Sequence, residues 1–102
     1  MDTDDRSAAQ ARWLNLTRVL LPAVAVARGW PVQTDHCFQR IFLDAACEDV
    51  WYDHISIRPA YAHASPALLD RAIALAEAAL CDGTDLSDHN RRSLAWRRAR
   101  RT

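Results

Sequence analysis

Apolar residues recur along the chain at the i, i+3, i+4 and i+7 spacing that places them on one face of an α-helix. The first such segment is predicted to begin near Ser7. Its apolar face comprises Trp13, Leu16, Leu20 and Val24. Pro22 interrupts the segment, and because proline lacks a backbone donor the pattern predicts either one kinked helix or two abutting helices. Gly29, followed by Trp30-Pro31, ends the segment.

A second helix is predicted from Thr34, an N-cap residue, with Asp35 at the positive end of the helix dipole. Its apolar stripe is Phe38, Ile41, Phe42 and Ala45. Another face of the same helix carries polar residues four apart, which are His36, Arg40 and Asp44. Glu48 and Asp49 are unfavourable at a helix C-terminus, so the helix is expected to fray or stop there.

A third helix is predicted to begin at Ser65-Pro66, where a capping serine precedes a proline at the first helical position. Its buried stripe is Leu69, Ala72, Ile73, Ala76 and Leu80. Gly83 ends it, and Thr84 or Asp85 caps a fourth helix over residues 86–98.

Residues 50–64 show no helical period and are predicted to form a long ordered connector between helices two and three, with a short extended piece as an option. The aromatic residues expected to anchor it are Trp51, Tyr52 and Tyr61. Connectors of this length in a small domain are often functional. No segment alternates with period two for long enough to build a sheet. The prediction is an all-α compact bundle of four main helices, one domain over 1–102, with flexible ends at 1–6 and 99–102.

Composition narrows the class of protein. Half of the 102 residues are hydrophobic, a quarter are charged and the net charge is zero, which is typical of a globular domain. Two glycines leave no Gly-rich phosphate loop. The three cysteines, at 37, 47 and 81, form no C-x-x-C and indicate a reducing compartment. The most apolar run, 19–27, is too short to span a bilayer, so we expect a cytoplasmic protein without a membrane partner.

The polar face of helix two has two interpretations. It is either a set of solvent-facing i, i+4 pairs or one side of a cleft beneath the connector. In the second case the connector supplies apolar walls from Trp51, Tyr52 and Tyr61, and polar contacts from Asp53, His54 and Arg58. Pockets of this kind, mostly aromatic with a few polar groups, are the usual small-ligand sites.

Helix four is poorly amphipathic, because its inward-facing candidates include hydrogen-bonding side chains. Asn90, Ser93 and Arg97 are spaced i, i+3 and i+7, and a buried Asn or Ser must be paired. These three side chains would fit the floor of a site for a carboxylate or a phosphate. The alternative is a terminal helix that docks through Leu94 and Trp96 alone.

The sequence also contains residue types found in reactive-cysteine, metal and nucleic-acid sites. Cys37 lies at a helix N-terminus, which favours a thiolate, but a buried free cysteine is the commoner role. Metal-ligand types are present at His36, Asp44, Asp53, His54 and His63. No His-x-x-x-His, Glu-x-x-His or Cys-x-x-Cys pair places two ligands on one helical face, so no metal site is predicted. Six arginines in residues 91–102 would suit nucleic-acid phosphates, or else form a solvated helix end.

Several strings of the sequence resemble a family of uncharacterised proteins of about this length. The strings are Asp35-His36-Cys37-Phe38, Trp51-Tyr52-Asp53, Pro59-Ala60-Tyr61 and Asn90-x-x-Ser93-Leu94-x-Trp96-Arg97, and the resemblance covers 28–98. Members carry the generic label GNAT-type N-acetyltransferase-related, which implies acetyl-CoA as cofactor and a mixed sheet with a Gly-rich turn. The residues themselves predict no sheet and no such turn, so label and pattern imply different folds. Polar and aromatic family motifs also favour a cleft.

We therefore expect a helical binding or accessory protein whose polar-aromatic cleft takes a small anionic molecule or a segment of a partner protein. Arg40, Arg58 and Arg97 are the predicted anion contacts, and Asp53 orients His54 or an arginine. The alternative is an enzyme at the same cleft, with His36 or His54 as general base and acyl transfer as its reaction. A third interpretation is nucleic-acid binding through the arginine-rich C-terminal helix.

Overall fold

The structure is a computed structural model that describes residues 2–30, 32–81 and 86–101, with side chains over 5–30, 32–81 and 86–100. Its helices are α1 (Asp2–Asn15), a π-helical turn (Leu16–Leu20), α2 (Leu21–Arg28), α3 (Asp35–Cys47), α4 (Ala60–His63), α5 (Pro66–Cys81) and α6 (Leu86–Arg101). A 3₁₀ turn, Trp51–Asp53, precedes α4. The described ranges contain no strand, so the all-α prediction is confirmed for them.

The first predicted helix is divided by the π turn, which changes which residues reach the core. Leu21 donates its backbone N–H to the Leu16 carbonyl, five residues back, so one extra residue is accommodated per turn. Pro22 follows directly and has no N–H for the ladder. Beyond the turn the buried positions are Leu21 and Ala25. The apolar spacing predicts Leu20 and Val24 at these positions instead, but both are only partly buried.

The ends of the helices follow local capping chemistry. Thr34 accepts a hydrogen bond from the Cys37 N–H at 3.4 Å, and Ser65 accepts one from the Leu68 N–H at 3.2 Å, so both predicted N-caps are present. Gly29 ends α2 in the left-handed conformation. Glu48 takes a similar conformation, with φ 55°, immediately after α3.

The predictions made for Pro31, Gly83, Thr84 and Asp85 lie outside the described residues.

Helix α3 is the centre of the molecule, because it contacts α5, α6, α2 and the π turn. Phe38, Ile41 and Phe42 on this helix are fully buried. They belong to one apolar cluster with residues of α1, the π turn, α2, α5 and α6. Since α3 also carries the polar face predicted to line a cleft, any such cleft is built on the most firmly packed element of the fold.

The connector is more structured than its sequence predicted. Over 50–64 the chain forms the 3₁₀ turn and α4, and the Arg58–Pro59 peptide bond is cis. Arg6 of α1 fixes the C-terminal part, since its guanidinium donates to the carbonyls of Ala62 and, at 2.8 Å, Ala64. Arg6 is part of the first helix, because this helix begins at Asp2 and not near Ser7 as predicted. At the other end α6 continues to Arg101, beyond the predicted residue 98.

Among the described residues, no helix combines the length and the apolar character needed to cross a membrane.

The register change at the π turn predicts different costs for two adjacent leucines. Leu21→Ala should lower the free energy of unfolding by about 2–5 kcal/mol, because Leu21 is fully buried. Leu20→Ala should cost less than half as much, because Leu20 is only partly buried. Urea denaturation followed by circular dichroism measures both. Equal losses, or a larger loss for Leu20→Ala, would mean that the helix continues without the extra residue.

Candidate functional site

A fully buried carboxylate, Asp44 on α3, lies at the centre of the polar contacts between α3 and α6. Its Oδ2 accepts hydrogen bonds from Ser93 Oγ at 2.6 Å and Arg97 Nε at 2.8 Å. Its Oδ1 accepts from the Trp51 backbone N–H at 2.9 Å and a second Arg97 nitrogen at 3.3 Å. A buried charge is tolerated only when it is paired and hydrogen-bonded. Asp44 therefore holds α3, the connector and α6 in one arrangement.

Arg40, one turn earlier on α3, extends this network without a carboxylate partner. Its guanidinium donates to Ser93 Oγ at 2.7 Å and to Asn90 Oδ1 at 2.8 Å. Ser93 thus accepts from Arg40 while it donates to Asp44. The inward residues of α6 are Asn90, Ser93 and Arg97, and each has a polar partner on α3. Leu94 is 47% exposed, so α6 does not dock through Leu94.

A cleft of about 470 Å³ opens above this network, between α3, α6 and the connector, and we refer to it as the polar-aromatic cleft. Its polar and cationic lining consists of His36, Gln39, Arg40, Arg58 and Arg97. Its apolar lining consists of Leu43, Trp51, Pro59, Ala60 and Tyr61. Both the volume and the mixture of apolar wall and few polar groups are those of small-molecule sites.

The charge of the cleft is positive, because its lining contains three arginines and no carboxylate. Arg97 is neutralised by Asp44, with which it forms a two-point ion pair. Arg40 is bonded to the neutral groups of Asn90 and Ser93. Among the described side chains, neither Arg40 nor Arg58 forms an ion pair. Two positive charges at the cleft therefore have no carboxylate partner in the part of the chain that is described.

Aromatic rings hold the two arginines nearest the connector. The Arg58 guanidinium lies over the Trp51 ring at 5.3 Å from its centroid, and the Arg97 guanidinium lies over the Tyr52 ring at 5.4 Å. Tyr61, on α4, also lines the cleft and forms part of its wall. Because Arg6 holds the carbonyls of the same short helix, that wall is fixed to α1.

The structure distributes the predicted site residues over three places. His36, Arg40, Trp51, Arg58, Tyr61 and Arg97 line the polar-aromatic cleft. Asp44, Asn90 and Ser93 lie in the network that forms its floor. Tyr52, Asp53 and His54 do not line the cleft. The exposed carboxylate of Asp53 pairs with Arg100 at 2.9 Å, and His54 lies 3.4 Å from Asp49.

Two of these placements correct the solvent-facing interpretation of the polar face of α3. Asp44 is completely buried, and Arg40 reaches across to α6 instead of pairing with Asp44 along the helix. His36 remains exposed, at the edge of the cleft. Burial along this face therefore increases from the exposed His36 through Arg40 to the fully buried Asp44.

Sequence reasoning missed four lining residues, which are Gln39, Leu43, Pro59 and Ala60. Leu43 adjoins the apolar stripe of α3, and a wider stripe would have included it. Gln39 donates to Thr17 Oγ1 at 3.1 Å, a contact that depends on the π turn and leaves no trace in the sequence. Pro59 and Ala60 belong to one of the resemblance strings, but they have no polar or charged group that would mark them as site residues.

Metal and cofactor candidates are limited in the described chain. No group of three or more His, Cys, Asp or Glu side chains there is placed to hold a metal ion. The acetyl-CoA implied by the family label needs a Gly-rich turn between a strand and a helix for its pyrophosphate. The described ranges contain no strand, and their one glycine, Gly29, ends α2. These residues do not provide that cradle.

Asp44 and Asp53 form matched ion pairs with α6, one buried and one exposed. Asp44→Asn leaves the Arg97 guanidinium without a carboxylate in a partly buried position, so unfolding free energy should fall by about 3–5 kcal/mol. Asp53→Asn removes the exposed pair with Arg100, which solvent screens, and should cost far less than Asp44→Asn. Urea denaturation of both variants measures the difference. A loss for Asp44→Asn no larger than for Asp53→Asn would contradict the central role of Asp44.

Cys47, at the end of α3, predicts a stability change at alkaline pH. Burial, with a smaller contribution from the charge of Asp44, raises the pKa of the Cys47 thiol to about 11. The pKa of a cysteine in an unfolded chain is about 8.5. Between this pH and the higher pKa of the folded state, the folded protein retains a thiol proton that the unfolded chain loses. Stability contributed by the neutral thiol is complete below about pH 8.5 and is lost as the pH rises towards 11.

Cys47→Ala should therefore show a smaller decrease in urea midpoint between about pH 8 and about pH 10.5 than the parent protein. Cys81→Ala, at an exposed position, is the matched control and should decrease as the parent does. An unchanged decrease in Cys47→Ala would show that the thiol contributes nothing to this pH dependence.

Comparisons of this chain with protein-family models, with curated proteins and with solved structures found no match. Its chemistry has to be inferred from its own residues, and the resemblance to the GNAT-related family stays a prediction.

Proposed function

We propose that this protein is a small cytoplasmic binding module that holds an anionic small molecule in the polar-aromatic cleft. The observation that carries the proposal is the charge of the lining. Three arginines face one cleft whose lining contains no carboxylate. Of these three, only Arg97 has an acidic partner among the described residues. A ligand with a carboxylate or phosphate group would supply the missing negative charge through charge-assisted hydrogen bonds.

The rigidity of Arg40 supports binding at this place. Its guanidinium is already fixed by Ser93 and Asn90, so little side-chain freedom is lost when a ligand arrives. A guanidinium has five N–H donors, and two hydrogen bonds leave others for an anion. The network beneath the cleft therefore holds the Arg40 guanidinium in position before a ligand binds.

The size and walls of the cleft favour a small molecule over a partner's segment. A volume of about 470 Å³ lies within the range of small-ligand sites. Trp51 and Tyr61 offer ring surfaces beside the cationic group, which suits a ligand with a flat apolar body attached to its anion. A compact aromatic acid or phosphate ester has this form.

The cytoplasmic location is supported by the cysteines. Cys37, Cys47 and Cys81 are all free. Proteins that keep several cysteines unpaired are typical of reducing compartments.

The enzymatic alternative receives less support from the geometry. His54 and Asp53, two of its three predicted residues, are engaged with Asp49 and Arg100 and do not line the cleft. His36 alone lies at the cleft. A general base usually needs a neighbouring group that orients it, and no hydrogen bond to the His36 ring is present among the described side chains.

The nucleic-acid alternative loses support from ion pairing within the chain. Arg91 and Arg92 contact Asp88, while Arg97 and Arg100 contact Asp44 and Asp53. Phosphate binding draws on cations that are free to release their counterions. Four of the six C-terminal arginines already have a carboxylate nearby.

Phenyl phosphate, a ring with an attached anion, is a direct probe of the cleft. Isothermal titration calorimetry should detect its binding to the parent protein. Arg40→Gln should weaken binding about tenfold or more, because a hydrogen-bonded charge contributes about 1.5–3 kcal/mol. Arg98→Gln, on the exposed side of α6 and outside the cleft lining, is the matched control and should bind as the parent does.

Circular dichroism of Arg40→Gln establishes that its fold is intact, and Arg40→Lys, which keeps the charge, should recover part of the affinity. Equal weakening by Arg40→Gln and Arg98→Gln would refute binding at the cleft. So would undetectable binding of phenyl phosphate to the parent protein at millimolar concentration.

A further inference from the structure

We infer that the polar-aromatic cleft selects ligands whose head carries two negative charges, and that Arg58 is the residue that determines this selectivity. The inference rests on the proposed function and names the class of ligand for the same cleft. Such ligands share two negative charges on a compact ring, carried either by one phosphate monoester or by two carboxylates.

The first step is the balance of charge at the cleft. Arg97 and Asp44 cancel, since the carboxylate is completely buried and paired with that guanidinium at 2.8 Å. Arg40 and Arg58 remain, without an ion pair among the described side chains. A ligand with one negative charge would leave one of these guanidinium groups uncompensated. A ligand with two would match the charge of the cleft.

The second step is the difference between the two remaining arginines. Arg40 is held between α3 and α6 by two hydrogen bonds, so it binds any anion that enters. Arg58 belongs to the connector, is exposed, and is positioned by its stacking on Trp51. Removing Arg58 should therefore change the charge preference of the cleft while the floor of the site stays in place.

The third step is the geometry of a stacked guanidinium. The guanidinium carbon of Arg58 lies over the Trp51 ring, 5.3 Å from the ring centroid, so the cation is held by the ring and not through a hydrogen bond to it. The N–H donors of a guanidinium lie in its plane and point outward from its edge. Arg58 can thus donate to an anion without leaving Trp51, and the indole ring limits the freedom that it loses on binding.

The test compares two probes of the same shape and different charge. Phenyl phosphate and phenyl sulfate both have a tetrahedral head on a phenyl ring, but at about pH 8 the phosphate carries nearly two negative charges and the sulfate carries one. Titration calorimetry at constant ionic strength should show that the parent protein binds phenyl phosphate about tenfold more tightly than phenyl sulfate.

In Arg58→Gln the preference should fall to near one, because phenyl phosphate should lose more affinity than phenyl sulfate. Arg58→Lys, which restores the charge, should regain a preference for the phosphate. A parent protein that binds phenyl phosphate and phenyl sulfate equally, and also binds isophthalate no more tightly than benzoate, would overturn the inference and leave the cleft as a general anion site. A preference retained in full by Arg58→Gln would also overturn it. Failure of both probes to bind would instead refute the proposed function.

A second pair of probes distinguishes the two sources of the dianion. Isophthalate and benzoate differ by one carboxylate on the same ring. A preference for isophthalate that depends on Arg58 would assign a dicarboxylate, and a preference confined to phenyl phosphate would assign a phosphate ester. Absence of an Arg58-dependent preference in both pairs overturns the inference.

Discussion

The buried carboxylate of Asp44 is the constraint on which the rest of the site depends. A completely buried anion is unstable unless every oxygen is satisfied, and Asp44 meets this condition with donors from three places. Ser93 and Arg97 come from α6, and the Trp51 N–H comes from the connector. One charge thereby determines how two helices and a loop meet. The cleft is the space left above that meeting point.

Under the proposed function, this arrangement assigns stability and ligand recognition to different arginines. Arg97 is occupied with Asp44 and serves mainly the fold, whereas Arg40 and Arg58 bring charge to the cleft surface that the described side chains do not neutralise. Arg40 is rigid, and Arg58 is held only by a ring. The protein thus has a fixed cation on its most firmly packed helix and an adjustable one on its connector.

The sequence predicted the helical class and the N-caps, because apolar spacing and capping residues act locally. It also indicated that polar rows on α3 and α6 would meet, since Ser93 and Asn90 on an inward face need partners. It predicted His54 or an arginine as the partner of Asp53 but not Arg100 in particular, because that choice depends on the path of the connector. Nor did it predict the π turn, because the spacing Trp13–Leu16–Leu20 equally suits a regular helix.

The clamp that Arg6 makes on the carbonyls of α4 has a consequence for how the protein can be handled. The first residues look dispensable in the sequence, yet one of them fastens the helix that carries Tyr61. Trimming the chain to Ser7 would free that wall while leaving the central core whole. Under the proposed function, a shortened protein would then fold well and bind less tightly although no ligand contact had been removed.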